Sequence, residues 1–133
     1  MNIKFVEYKI SDLKFSPSNS LLERLSTLTT LNIDDILIFK PIFLEDSSKD
    51  FILKFHLEVN TEETSFFELE FISKFTCDDE MTQEFKESHF PTVNAPAIAY
   101  PFLRAFVSNF FVNAGYYPIL LPTYNFVKFK KSK

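Results

Sequence analysis

One glycine, Gly115, serves all 133 residues. Loops that cradle phosphate, and the tight turn of a dinucleotide-binding fold, need several glycines in a short span, so both are excluded. One cysteine, Cys77, leaves no partner for an intramolecular disulfide. Its immediate neighbours, Thr76 and Asp78, are not the His or Lys that would activate a thiol, so an inert, partly buried Cys is expected. His56 and His89 are too far apart for a ligand pair such as HxxxH, and both read as surface residues. Asp78-Asp79-Glu80 lacks the glycine of a calcium loop and reads as a solvated connection. No metal, cofactor or catalytic constellation is expected, and the chain reads as a non-enzyme.

Long apolar runs are missing too. No apolar run is expected to approach the ~20 residues of a membrane span. The N-terminal MNIKFVEYKI alternates in character and lacks the apolar core of a signal peptide. A cytoplasmic protein without membrane insertion is therefore expected. Acid is absent from residues 88–133, whose five basic residues give +5, whereas residues 1–87 carry nine basic residues and all 18 acids, giving −9. The acidic front argues against nucleic acid as a partner. The basic excess is mostly Lys128, Lys130, Lys131 and Lys133, read as a solvated, frayed tail over 128–133 of a single 1–133 domain.

Against these absences stand 18 phenylalanines. So much aromatic side chain is hard to bury in one core of this size, and some is expected in an interface or groove. Four strands are legible. The first covers 2–15, where Ile3 and Phe5 are followed by Val6, Tyr8 and Ile10; the slip of phase at Val6 predicts a bulge. Residues 16–32 form a long connection with about one helical turn around Leu21, Leu22, Leu25 and Leu28. The second strand covers 33–44 and contains Pro41, which suits an edge. The third, 51–59, alternates Phe51, Leu53, Phe55, Leu57 and Val59 with polar residues; the fourth, 64–76, repeats that parity. Short turns make them antiparallel neighbours. A helical turn is expected within 81–87.

The main helix is read between Pro101, suited to a first turn, and Gly115, suited to a left-handed end. It carries two apolar lines, Phe102, Phe106 and Phe110 beside Leu103, Val107 and Phe111. A sheet covers one side of a helix, so a second molecule is expected on the other, at Phe106, Val107, Phe110 and Phe111. The fold class is α+β: a four-stranded antiparallel sheet with one main helix packed on one face.

The segment 89–126 resembles the SecB family of protein-export chaperones. The elements that carry the resemblance are Ala95-Pro96-Ala97, Tyr100-Pro101-Phe102-Leu103-Arg104, Gly115, the Pro118 to Pro122 run and Asn125-Phe126. Weaker similarity runs from Tyr8 to Asn19 and through Glu63-Thr64-Ser65-Phe66. The resemblance implies a long crossover between the first two strands, a dimer of dimers with the main helix at its interface, and grooves that bind non-native polypeptides for transfer to SecA. It places Phe66, Tyr100 and Phe102 in such grooves and makes Leu22, Leu25 and Leu28 a flexible wall. Plain core packing is the alternative for each aromatic. Glu68 and Glu70 could dock SecA, or simply form a solvated sheet face. Only Val127 to Lys133 follow Phe126, so the second helix and SecA-contacting tail implied by the resemblance have no residues assigned. A chaperone dedicated to one partner, such as an antitoxin, is the narrower alternative. A lipid-binding, small-apolar-ligand or structural module on the same fold is a different class.

Overall fold

A computed structural model describes residues 1–25, 34–61 and 65–128. Strands β1 (Ile3–Phe15), β2 (Asp34–Phe43), β3 (Asp50–Asn60) and β4 (Ser65–Cys77) form one antiparallel sheet in the order β1-β4-β3-β2. Strands β2 to β4 are a meander. Strands β1 and β2 lie at opposite edges of the sheet, and the connection between them begins with helix α1 (Asn19–Leu25); the turn region 62–64, the stretch 26–33 and the tail beyond Lys128 lie outside the described residues.

Strand β3 shows why the sheet forms. Phe51, Leu53, Phe55, Leu57 and Val59 are each 0% exposed, while the residues between them are half-buried. Five fully buried apolar side chains, each worth roughly 1.5–3 kcal/mol, fix both face and register, because a slip of one residue would turn all five to water. Pro41 lies on the edge strand β2, opposite Leu53, as its missing N–H requires. In β1 the pairing shifts between Phe5 and Glu7, leaving Val6 as the extra residue, and again between Ile10 and Asp12. The predicted bulge is present. Val6 is out of the alternation and exposed, and Tyr8 returns to the face of Phe5.

Beyond β4, Thr82 caps the short helix α2 (Gln83–Lys86) by accepting the Phe85 N–H. A π-helical turn, Phe90–Asn94, then runs into helix α3 (Ala95–Asn113). The helix is longer than the sequence suggested. It starts with Pro96 in its first turn, and Pro101 lies inside it. The missing N–H of Pro101 frees the Ala97 carbonyl, but both residues are exposed, so water can satisfy that oxygen. A second expectation also fails. The helical run Gln83–Asn113 does have the length and apolarity of a membrane span. Its apolar face is instead laid along the sheet, with α3 over β1 and β4 and the π-helical turn beside β2.

The end of α3 is set by Gly115, whose φ is +97°. The Gly115 N–H donates to the Val112 carbonyl at 3.1 Å and the Tyr116 N–H to the Phe111 carbonyl at 2.8 Å, the paired bonds of a glycine-terminated helix. A Cβ at Gly115 would meet nothing within 4 Å, so only the backbone conformation opposes substitution. Gly115→Ala should therefore cost about 1–2 kcal/mol. A loss above ~2 kcal/mol in urea denaturation would show a packing role that this geometry does not contain.

Candidate functional site

The two apolar lines of α3 have different fates. Ala95, Ala99, Leu103, Val107 and Phe111 are spaced four apart and each is 0% exposed. The small residues let the front of the helix lie close to the sheet, and the line ends on a ring. Phe111 sits 5.4 Å from Phe15, 5.3 Å from Phe67 and 6.4 Å from Phe66. Val107 and Phe111, expected at an interface with another molecule, are thus covered by their own chain, because the sheet takes this line.

The same correction applies to two expected groove residues. Phe66 is buried, because it breaks the alternation at the start of β4 beside a register shift and joins Phe67 in the core. Tyr100 is buried under the segment that follows α3. Phe102 is the member of the set on the surface, at 44% exposure. Leu22 is half-buried; the Leu25 side chain and Leu28 lie outside the described residues.

The outer line of α3 faces the seam with β1. Phe102 lies 4.7 Å from the ring of Phe5 and 5.9 Å from that of Tyr8, which stacks on Phe71 at 4.8 Å. Further along, Phe106 is 6.3 Å from Phe110, and Phe110 is 5.5 Å from Phe15. Phe106 and Phe110 are half-buried, and no inward residue of β1 is fully buried. The seam therefore carries two groups of partly exposed aromatic rings, Phe102 with Phe5 and Tyr8 and, further along the helix, Phe106 and Phe110 with Phe15. Phe5 and Tyr8 were not singled out in the sequence, although the slip at Val6 was the signal that brings them to one face.

The opposite sheet face is mixed, with Ile36 and Ile38 exposed opposite Glu58 and His56. Lys54 Nζ lies 3.3 Å from Glu70 Oε2, and Ser11 Oγ donates to Glu70 Oε1 at 3.2 Å. Desolvation pushes the Glu70 pKa up, but the hydrogen bonds from Lys54 and Ser11 and the Lys54 charge outweigh it and hold the carboxyl below its ordinary range. Glu68 lies opposite Lys14 on one side and Glu58 on the other. Cys77 is buried, and burial, with Asp78 and Asp50 adding to it, raises its thiol pKa, so the nucleophilic thiolate is disfavoured. Among the described residues no group of three His, Cys, Asp or Glu could hold a metal ion.

After α3, residues 116–128 cross the helix as an irregular strap. Ile119, Leu121 and Phe126 point inward, while Leu120 is 73% exposed. Ser108 Oγ donates to the Ile119 carbonyl at 2.9 Å, Tyr100 Oη to the Pro122 carbonyl at 2.5 Å, and the Tyr124 hydroxyl to Asp35 on β2. Burial first, and the Asp35 carboxylate second, raise both tyrosine pKa values above the ordinary range, so both phenols remain protonated donors at neutral pH.

The comparisons agree with this architecture. The model of the family described as preprotein translocase subunit SecB matches residues 32–133. Among solved structures, the Mycobacterium tuberculosis SecB-like chaperone in complex with a ChAD peptide from the HigA1 antitoxin is similar at a TM-score of 0.65 and 12% identity, over 90% of this chain and 86% of that one. A Streptococcus agalactiae protein of unknown function gives a TM-score of 0.49 at 10% identity, over 92% and 98% of the two chains. Comparison with curated proteins gives no significant match. The family match covers more than three quarters of the sequence and includes the aromatic helix and strap described above: the chain belongs to the SecB family.

Proposed function

We propose that this protein is a chaperone that holds non-native polypeptides on the aromatic seam between α3 and β1, without catalysing a reaction. The observation that carries the proposal is Phe102, 44% exposed and backed by the rings of Phe5 and Tyr8. Unfolded chains offer varied apolar side chains, and a broad aromatic surface gains ~25 cal/mol per Å² without selecting one sequence. Family membership supports a cytoplasmic protein, assembly as a dimer of dimers through Phe106 and Phe110 on the outer line of α3, with Phe102 left to clients, and delivery of clients to SecA. Glu68 and Glu70 are the proposed docking acids for SecA.

Suppression of aggregation of a chemically unfolded client tests the proposal. The wild-type protein should suppress it at stoichiometric amounts. Phe102→Ser should weaken client binding on the order of tenfold, the equivalent of ~1.4 kcal/mol. Client aggregation that proceeds unchanged in the presence of wild-type protein would end the chaperone reading.

A narrower role, service to a single partner, is favoured by one finding: the similar mycobacterial SecB-like chaperone is seen with an antitoxin peptide. Pull-down with SecA separates the two. Retention of SecA supports export; client binding with no SecA retained supports a dedicated role.

A further inference from the structure

We infer that the strap 116–128 is a built-in pseudo-client, seated where an extended apolar segment of a foreign polypeptide binds and displaced when that segment arrives. The inference rests on the chaperone reading and adds a regulatory step to it. The strap has the form such a client would take. It is irregular, and it alternates, with Ile119 and Leu121 turned inward and Leu120 turned out. Its seat also reads it as a client would be read. Among the described residues, the backbone of 117–123 is tied to the rest of the chain by two side-chain hydroxyls, Ser108 on the Ile119 carbonyl and Tyr100 on the Pro122 carbonyl. Hydroxyl donors on carbonyls recognise backbone, which every polypeptide has; no polar side chain of 117–123 is required, and the side-chain tie of the strap, the Tyr124 hydroxyl on Asp35, lies beyond that extended apolar stretch. The apolar part of the seat is equally indifferent to sequence. Tyr100 presents its ring to Tyr124 at 5.2 Å and Phe126 at 5.8 Å, and Phe39 lies 5.6 Å from Phe126.

A tethered occupant competes at an effective concentration on the order of millimolar, so a closed strap lowers the apparent affinity for any client that uses the seat. Loosening the strap from its own side, without touching the seat, must then raise that affinity. Ile119→Ser does this and leaves Ser108, Tyr100 and Phe39 in place.

Two measurements test the inference with carboxymethylated, permanently unfolded α-lactalbumin as the probe. In the first, Ile119→Ser should bind the probe about tenfold more tightly than wild type, the equivalent of one buried aliphatic side chain. In the second, Leu121→Cys in a Cys77→Ala background places a thiol at a position that is 2% exposed. Its labelling by a maleimide should accelerate at least severalfold when the probe is added. Unchanged or weaker probe binding by Ile119→Ser, with native circular dichroism, overturns the inference. So does labelling of the Leu121→Cys thiol that stays constant or slows with the probe bound. Should the wild-type protein bind no probe at all, the chaperone reading falls and takes this step with it, an outcome distinct from a probe that binds while the strap stays shut.

Discussion

Phe111→Ala should lower the unfolding free energy by about 3–5 kcal/mol, the usual cost of emptying a buried aromatic position. The ring is fully buried and meets Phe15, Phe66, Phe67 and Phe110. These neighbours come from two strands and the helix itself. Each is held by its own backbone, so the space left by the ring cannot easily close. Globular domains have about 5–15 kcal/mol in total, so this single change removes a large share. Urea denaturation at one fixed protein concentration reads it, because any self-association would add a concentration-dependent contribution. A loss below ~1 kcal/mol would place the ring outside the core and return it to the interface role first expected for it.

Phe106→Asp should act the other way round, with little effect on the folded chain and a large effect on assembly. Phe106 is half-buried, and among the described residues its close aromatic neighbour is Phe110, on the same helix. A carboxylate there can remain hydrated in the monomer. Across a two-fold interface the same position would bury two like charges against an aromatic surface, at a cost of several kcal/mol. Sedimentation velocity should show the wild-type assembly replaced by smaller species at micromolar concentration, with thermal unfolding shifted by only a few degrees. An assembly of unchanged mass would remove the outer line of α3 from the interface. The two variants together separate lines of the helix that sit side by side in the sequence.

That pair of lines shows where the sequence was legible and where it was not. The alternation in β3 and the end of the main helix were readable, because period two and a left-handed glycine are local signals. Gly115 has one conformational role and the structure gives it that role. Which apolar line of α3 meets the sheet is not a local property. Both lines are strongly apolar, and the choice depends on the helix starting at Ala95, six residues before Pro101, so that two alanines can lead the inner line close to β4 and β1. Proline gave a misleading boundary, since Pro96 already supplied a start and Pro101 falls on the solvent side. The burial of Tyr100 was equally illegible, because its cover is a strap with no periodic pattern. Phe5 and Tyr8 were half-legible: the slip at Val6 was visible, but not that it turns both rings toward Phe102.

The bulges of β1 have a consequence of another kind. A protein that keeps aggregation-prone chains at its surface is exposed to templating by them. Cross-β growth recruits straight segments of six or seven residues. In β1 the pairing shifts at Val6 and Ser11 leave straight runs of three, four and four residues, Ile3–Phe5, Glu7–Ile10 and Asp12–Phe15. On the far flank of the sheet, Pro41 has no N–H to offer an incoming strand. Lys4, Lys9 and Lys14, one in each run of β1, add charge that a stacked copy would have to bury beside its own. The β1 flank, which borders the aromatic seam, is thus a poor seed, and a chain held on the seam finds rings to rest on but no long straight ladder beside them to extend.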